Sequence, residues 1–350
     1  MSQRRLIHVL RLFFALLVLT VAGRWAVQSQ ETQTVYLAEA ASLRACAHQD
    51  CAAVLAFPAS TPLTVLDTTS DQATAGAEDW LHVREELSGA EGYVPRALTL
   101  ESLPQDWQAA PVIPAVSEAA REVYRRGQEL GNDPHTFSVI GDCQNIAAYF
   151  LAAYDDPLQY NLGGYAYLQA TIDAFAGAFS RPRAAVQPGY NVASVLSPLW
   201  ADPDLCDKGE NPLQCEYRLH RPAFVIISME TWWSGRPADD YERYLRQVVQ
   251  FWIDHGVVPI LATKADNLEG DHSINAAIVR VARETDMPLW NFWLAVQPLP
   301  AHGLEDDGFH LTFARSFFNS PDVLQTGWGM RNLTALQALD AVRRGVQAAP

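Results

Sequence analysis

The amino-acid sequence predicts a three-layer α/β domain built around a parallel sheet, with a small all-β barrel in front of it. Apolar strands and amphipathic helices alternate after about residue 132. The apolar runs at residues 224–227 and 257–261 contain no polar alternation, which is typical of strands covered on both faces. Between residues 33 and 101, short strand-like segments separated by polar turns predict the barrel.

Length, composition and charge limit the classes of function. The chain has 350 residues, 49% of them hydrophobic, which is enough for one large core and a small additional module. A net charge of −15 argues against nucleic acid and anionic membrane surfaces as partners. The sequence contains no cysteine and histidine spacing typical of zinc and no glycine-rich phosphate loop, so neither a metal nor a cofactor is expected.

The N-terminus has the pattern of a targeting segment. Arg4 and Arg5 precede an apolar stretch that runs without a charged residue over residues 12–23. Because a full membrane span needs about 20 apolar residues, this pattern predicts a secretory signal peptide or a marginal signal anchor within residues 1–30. Membrane contact is assigned to this segment alone. The rest of the chain is predicted to lie outside the cytoplasm, either secreted or anchored at the cell surface.

The barrel is predicted to cover residues 33–101, followed by a connector at residues 102–130. Polar, glycine- or proline-bearing turns separate its strands. Prolines interrupt the first half of the connector, and residues 116–129 are charged and helix-prone. The predicted barrel strands are Thr34–Leu37, Ala53–Phe57 and residues 63–67, 80–83 and 92–95.

The α/β domain is predicted to span residues 131–350. In parallel sheets of this kind, function resides in the loops at the carboxyl ends of the strands. The predicted strands are residues 137–140, a segment before Leu196, and residues 223–228, 257–263 and 288–292. The predicted helices are one that begins at Asn145 and those at residues 163–178, 239–254 and 274–284.

The cysteines indicate local disulfides in an oxidising compartment. Cys46 and Cys51 share one polar turn, and Cys206 and Cys215 bracket another. Pairing within each turn is the simplest arrangement, although the sequence alone leaves the connectivity open. This arrangement leaves Cys143 as the remaining thiol.

Cys143 stands at the end of a predicted strand. The sequence Gly141-Asp142-Cys143 follows the strand-like residues 137–140 and precedes the helix predicted from Asn145. A helix N-terminus favours the thiolate, which is the reactive form of cysteine. Cys143 is therefore a candidate nucleophile, and the alternative is a buried structural cysteine.

A second candidate motif, Asp307-Gly308-Phe309-His310, lies near the C-terminus. An aspartate three residues before a histidine, across a glycine turn, can accept the Nδ1–H of the imidazole. That contact fixes the tautomer and leaves Nε2 to act as a base. A solvated surface loop is the alternative interpretation of this motif.

Taken together, the two motifs resemble those of the GDSL/SGNH hydrolases. The resemblance covers residues 132–350 and places Cys143 at the position of the nucleophilic serine, with His310 as base and Asp307 as its orienting carboxylate. It also implies oxyanion-hole donors at Gly189 and at Thr231, the second at a position where the family has an asparagine. Loss of one such donor typically costs about a hundred- to a thousandfold in rate.

Further residues near the predicted site are candidate substrate contacts. Asn145 follows the cysteine motif, and Trp232 and Trp233 follow the strand at residues 223–228. The two indoles could stack on a sugar ring, whereas packing in the core or in a lid is the alternative.

The barrel resembles the bacterial Src-homology-3-like domains of exported proteins. The matching segments are residues 42–44, 62–66, 80–83 and 92–95. The resemblance implies a contact with the cell wall or its glycans, or a role as a spacer.

Together with the predicted export, the resemblance to the GDSL/SGNH hydrolases implies an exported esterase of that type. The resemblance and the location alone imply its expected substrates, which are small esters or acyl esters, above all O-acetyl groups, on cell-wall or extracellular glycans. Two alternatives stay open. One is a weak or inactive SGNH-like domain that binds surface glycans, and the other is a thiol acyltransferase, which differs from a hydrolase only in the acceptor.

Overall fold

The computed structural model describes residues 33–68, 79–102, 106–229, 232 and 236–348. The predicted signal segment at residues 1–30 lies outside these residues. The described residues from Thr34 onward form one compact unit. It combines an antiparallel sheet with a parallel sheet and its helices. No helix in the described ranges has the length and apolar character needed to cross a membrane.

The antiparallel sheet occupies the predicted barrel region. Within the described residues its strand order is β3-β2-β6-β5-β4-β1-β7. Its small core consists of aliphatic side chains and one phenylalanine from the inner faces of these strands. The strands are β1 (Thr34–Leu37), β2 (Ala41–Arg44), β3 (Ala53–Phe57), β4 (Pro62–Thr68), β5 (Trp80–Arg84), β6 (Glu91–Pro95) and β7 (Thr99–Leu100), with a 3₁₀ helix at Arg96–Leu98.

The parallel sheet forms the centre of the larger part. Its order among the described strands is β12-β11-β10-β8, and every residue of β10 and β11 is buried. Because neighbouring residues of a strand point to opposite faces, both faces are covered here, as the unbroken apolar runs predict. The strands are β8 (Asp133–Gly141), β10 (Pro222–Ser228), β11 (Val258–Ala262) and β12 (Leu289–Trp290), and β9 (Tyr160–Asn161) pairs separately with β13 (Ser316–Phe317).

Helices occur at the predicted residues 239–254 and 274–284, whereas the helix predicted at residues 163–178 is a 3₁₀ segment followed by one short α-helix. The helices Pro212–His220, Phe292–Val296 and Gly327–Gln347 lie where the sequence predicts none. The α-helices are α1 (Glu118–Glu129), α2 (Gln169–Ala174), α3 (Pro212–His220), α4 (Ala238–Asp254), α5 (Ser273–Thr285), α6 (Phe292–Val296) and α7 (Gly327–Gln347). The 3₁₀ helices beyond the barrel are Trp107–Ala109, Cys143–Asn145, Ala152–Asp155, Gly163–Leu168, Ser194–Leu196, Pro198–Trp200, Pro300–Gly303 and Pro321–Gln325.

The segment before Leu196 differs from the prediction. In place of a strand, an isolated parallel bridge joins Val186 to Gly141. Gly141 N–H donates to Ala185 O at 3.2 Å, and Gln187 N–H donates to Gly141 O at 3.3 Å. The segment therefore runs beside the carboxyl end of β8 and turns away before a ladder can extend.

Hydrogen bonds between residues that lie outside the strands connect the part that contains the antiparallel sheet to the part that contains the parallel sheet. Ser60 Oγ donates to Ala109 O at 2.8 Å, and Arg344 Nη2 donates to Leu87 O at 2.5 Å. The boundaries of separate domains remain a prediction.

A close backbone approach fixes α1 against the turn after α4. A Cβ atom at Gly127 would lie 2.0 Å from Gly256 O, and Gly256 itself has φ of +69°. Only glycine at both positions allows this contact.

We expect Gly127→Ala to lower the free energy of unfolding by about 1–3 kcal/mol, because the added methyl group overpacks the contact with Gly256. Within a helix, alanine is more favourable than glycine by about 1 kcal/mol. A loss of stability in Gly127→Ala would therefore come from the steric effect. Arg125→Ala, at an exposed position of α1, is the control and should change stability by less than about 0.5 kcal/mol. Urea unfolding followed by circular dichroism measures both, and a Gly127→Ala protein as stable as the wild type would contradict the packing argument.

Candidate functional site

The Gly141-Asp142-Cys143 turn is held at the carboxyl end of β8 by close packing. A Cβ atom at Gly141 would lie 2.0 Å from Asn145 Nδ2 and 2.5 Å from Ser228 O, so the position requires glycine. Asp142 is fully buried and caps the following 3₁₀ turn, accepting the N–H of Gln144 at 3.1 Å. Cys143 is partly exposed at the start of that turn.

The helix predicted from Asn145 is wrong. The chain forms one 3₁₀ turn at Cys143–Asn145, then non-helical turns until Ala152–Asp155. Tertiary hydrogen bonds replace those of a helix: Leu151, at φ +71°, donates its N–H to Asn332 Oδ1 at 2.8 Å. A single turn aligns few peptide dipoles, so the predicted dipole stabilisation of the thiolate loses most of its basis.

The Asp307 and His310 side chains form the predicted pair. Asp307 Oδ1 accepts the backbone N–H groups of Phe309 and His310, each at 2.9 Å. Asp307 Oδ2 lies 2.5 Å from His310 Nδ1. Because a carboxylate only accepts, the proton sits on Nδ1 and Nε2 faces away from Asp307 as the basic nitrogen. The hydrogen bond from His310, followed by those from the backbone, lowers the pKa of Asp307 to about 2.

The loop that carries this pair is closed by its own backbone. Glu305 N–H donates to His310 O at 2.8 Å, and an antiparallel bridge joins Leu304 to Leu311. Gly308 makes the turn between the two partners with φ of +70°. The pair is largely solvent-exposed, and its geometry comes from this local closure.

A hydrogen bond joins the cysteine turn to the histidine loop. Gln144 is 3% exposed, and its Nε2 donates to Phe309 O at 2.9 Å. Gln144 follows Cys143 and Phe309 precedes His310, so the two predicted motifs lie side by side although 165 positions separate the bonded residues. Sequence reasoning did not single out Gln144. Its position next to the candidate nucleophile was the available signal.

Arg331 supports the cysteine turn from the core. It is fully buried in α7, and its Nη2 donates to Asn145 Oδ1 at 3.1 Å and to Ser228 Oγ at 2.8 Å. Its guanidinium lies 4.8 Å from the ring centre of Phe150 and 5.1 Å from that of Phe292. Such a desolvated guanidinium gains from hydrogen bonds and from aromatic faces at once. No local sequence signal marks this residue.

Asn145 lies inside the core. It is fully buried, and its Nδ2 donates to Ser228 O at 2.8 Å while its Oδ1 accepts from Arg331. This placement argues against the predicted substrate contact, and we assign Asn145 a structural role.

The remaining predicted site residues have mixed outcomes. Gly189 is exposed, has φ of +82° and follows the segment paired with Gly141, so its loop emerges at the same sheet edge. Trp232 packs edge to face on Tyr241 at 5.6 Å, as the packing alternative describes. Thr231 and Trp233 lie outside the described residues.

The disulfide prediction is confirmed. Cys46 pairs with Cys51 and Cys206 with Cys215, with Cα atoms 5.7 and 5.2 Å apart, and Cys143 takes part in neither pair.

One group of potential metal ligands occurs among the described residues, formed by Cys206, Glu210 and Cys215. Its sulfurs are bonded to each other, and Glu210 Oε1 accepts from Arg218 Nε at 2.7 Å. In the disulfide form the group offers no thiolate to a metal.

The loop after β11 is ordered by a buried ion cluster. Lys264 is 3% exposed, and its Nζ lies 2.7 Å from Asp266 Oδ1 and 2.6 Å from Glu269 Oε2. Burial opposes the charge, but the two carboxylates outweigh it and raise the pKa of Lys264. The cluster fixes loop conformation at the carboxyl edge of the sheet.

A cavity of about 630 Å³ lies away from these residues, between the antiparallel sheet and the C-terminal helix. Its walls include Phe57, Tyr165, Leu299 and Leu333, and none of the predicted site residues lines it. We therefore place the candidate site at the carboxyl edge of the parallel sheet, where the chemically capable side chains lie.

Comparisons with known proteins give little further information. No family model matches the chain. No curated protein matches it either. Among solved structures, the chain is similar to one described as the crystal structure of TesA, at 21% sequence identity, over 50% of this chain and 88% of that chain, with a TM-score of 0.33. At this TM-score the likeness assigns neither a fold nor an activity.

We expect His310→Ala to raise the pKa of Asp307 from about 2 toward 3.8, because its largest cause, the hydrogen bond from His310, is removed. The backbone N–H bonds remain, so the return is partial. Since the folded-state pKa is depressed, the stabilising contact is complete above the unfolded pKa and is lost as the pH falls through about 2. An NMR titration of the Asp307 carboxyl carbon measures the midpoint. Asp306→Asn is the control and should leave it near 2, whereas an unchanged midpoint in His310→Ala would contradict the assigned cause.

Arg331→Lys should destabilise the fold by about 2 kcal/mol or more, because lysine keeps the charge but loses the planar stack and the paired donors. Arg243→Lys is the matched control. Like Arg331, Arg243 lies over an aromatic ring, here that of Tyr244, but its side chain is 55% exposed. Its change should stay within about 0.5 kcal/mol. Equal urea midpoints for both variants would show that Arg331 has no special role.

Proposed function

We propose that the chain is an exported SGNH-type hydrolase that cleaves acyl esters with a Cys143-His310-Asp307 triad. The hydrogen bond from Gln144 to Phe309 carries the proposal, because it joins the residue after the candidate nucleophile to the residue before the candidate base. The Asp307–His310 contact supports it further, since it sets the tautomer that a general base requires.

The proposed reaction proceeds through a thioester. Cys143 Sγ attacks the ester carbonyl carbon while its proton passes to His310 Nε2. The N–H groups of Cys143 and Gly189, with the hydroxyl of Thr231, stabilise the oxyanion. The intermediate expels the alcohol, which takes the proton from His310. Water, deprotonated by His310, then hydrolyses the thioester, releasing the carboxylic acid and restoring the thiol.

Export and substrate class form part of the proposal. The Cys46–Cys51 and Cys206–Cys215 disulfides are consistent with an extracellular protein. At the cell surface, O-acetyl and other acyl esters on glycans are the expected substrates, with the Src-homology-3-like barrel as a module that contacts the cell wall.

A second candidate function is glycan binding with little or no turnover. Residues 229–233 follow β10 without the asparagine that SGNH hydrolases use as an oxyanion donor. A thiol acyltransferase would use the same side chains and differ only in the acceptor of the acyl group.

We expect iodoacetamide to abolish hydrolysis of p-nitrophenyl acetate in step with alkylation of Cys143, because the other cysteines are in disulfides. Cys143→Ala and His310→Ala should each lower kcat/KM by about a thousandfold or more. Leu158→Ala, at a side chain 86% exposed, is the control and should match the wild type.

Retention of full esterase activity by Cys143→Ala would refute the proposed triad. If the wild-type protein turns over no ester but binds glycans saturably, the second candidate function holds. Acyl transfer to an added alcohol in preference to water would favour the acyltransferase.

A further inference from the structure

A separate cavity of about 400 Å³ lies beside the candidate site. This volume is within the range of small-ligand pockets, about 300–1,000 Å³. Its walls combine aromatic, aliphatic and polar side chains. Those that matter for ligand binding are Arg183, Gln187, Tyr190, Leu199, Trp200 and Asp202.

The backbone places this cavity next to the cysteine turn. Gln187 N–H donates to the carbonyl of Gly141, two residues before Cys143. Gln187 and Tyr190 both line the cavity and flank Gly189 in the sequence. A group bound in the cavity therefore lies beside the loop that carries the proposed oxyanion donor.

Trp200 provides an exposed aromatic surface on a fixed support. Trp200 is 44% exposed, and its ring packs edge to face on that of Tyr190, with the ring centres 6.0 Å apart. Tyr190 is 1% exposed, and its hydroxyl donates to Trp200 O. Ser197 caps the 3₁₀ helix Pro198–Trp200 through the N–H of Leu199. A half-exposed indole held this firmly loses little entropy when a ligand stacks on it.

The polar groups of the cavity are suited to hydroxyls. Asp202 Oδ1 accepts the N–H of Asp204 at 2.9 Å, which leaves Oδ2 to accept from a ligand. The Gln187 side chain is exposed and makes no hydrogen bond within the described part of the chain. An amide and a carboxylate beside an aromatic ring can bind a molecule that has hydroxyls around its edge and an apolar face.

The charges disfavour an anionic ligand. The guanidinium of Arg183 is engaged by carbonyl oxygens, of Asn145 at 2.6 Å, Phe150 at 3.1 Å and Phe179 at 3.0 Å. It is therefore committed to the protein backbone. The carboxylate of Asp202 repels further negative charge, as does the net charge of −15.

We infer that this cavity is a subsite for one neutral pyranose unit of a glycan, with Trp200 stacked on the apolar face of the ring. Asp202 and Gln187 would accept and donate hydrogen bonds at its hydroxyls. The subsite deepens the proposed function, and rests on it for the reaction at the neighbouring cysteine, but binding itself requires no turnover.

Calorimetric titration of the full-length Cys143→Ala protein tests the subsite without chemistry. The probes are cellotetraose, xylotetraose and the β-1,4-linked tetramer of N-acetylglucosamine. We expect saturable binding to at least one of them. Trp200→Ala should weaken that binding about tenfold or more, corresponding to about 1.4 kcal/mol. Trp200→Phe should retain most of the affinity. Leu158→Ala is the control and should bind as the parent does.

Gln187→Ala provides a second variant at an exposed side chain, and it too should weaken binding. The inference is overturned if none of the three probes binds saturably, if Trp200→Ala and Gln187→Ala both bind like the parent, or if tetragalacturonate binds more tightly than the neutral probes.

Kinetics with Cys143 intact separate this inference from the proposed function. Trp200→Ala should lower kcat/KM for O-acetylated xylotetraose about tenfold and leave that for p-nitrophenyl acetate unchanged. Trp200-dependent binding without any ester turnover would refute the hydrolase and keep the subsite. Turnover of both esters with no effect of Trp200→Ala would keep the hydrolase and refute the subsite.

Discussion

The candidate site depends on the hydrogen bonds that the buried guanidinium of Arg331 makes. This guanidinium joins the C-terminal helix α7 to Ser228 at the end of β10 and to Asn145 below the cysteine turn. A buried cation is costly unless it is compensated, and here Nη2 makes two hydrogen bonds while the rings of Phe150 and Phe292 lie against the guanidinium. Arg331 thus joins the last helix of the chain to the segments at the carboxyl ends of two neighbouring strands, β8 and β10.

Close packing restricts which residues can occupy the Gly141-Asp142-Cys143 turn. Gly141 is squeezed between Asn145 and Ser228, while Asp142 is buried as the cap of the next turn. Cys143 thus lies in a closely packed turn. The His310 loop is different in kind: it is exposed, held by its own backbone, and anchored to that turn through Gln144. The Gln144–Phe309 hydrogen bond joins the packed turn to the locally closed loop.

Much of the architecture could be predicted from the sequence, for identifiable reasons. Strands β10 and β11 are continuous apolar runs, the paired cysteines are close in sequence, and the Asp307–His310 contact spans one turn. The elements that escaped prediction depend on distant contacts. The helix expected at Asn145 is replaced by bonds to residues far along the chain.

The long helix α7 escaped prediction for a different reason. Nearly all of its first sixteen residues are buried, polar ones among them, so it has no polar stripe to reveal a helical period. The role of Arg331 within this helix is visible only in the packed structure. Such buried polar positions carry no periodic signal that a single sequence can provide.

The long separation between the residues that build the site has a consequence for the order of folding. The bonds of Asn145 and Gln144 to the last part of the chain span 186 and 165 positions, whereas the disulfide partners are only 5 and 9 positions apart. Short loops close at a smaller entropic cost than long ones. In an oxidising compartment the paired cysteines therefore find each other before the surroundings of Cys143 are assembled. Proximity along the chain thus favours pairing within each turn over mispairing with Cys143.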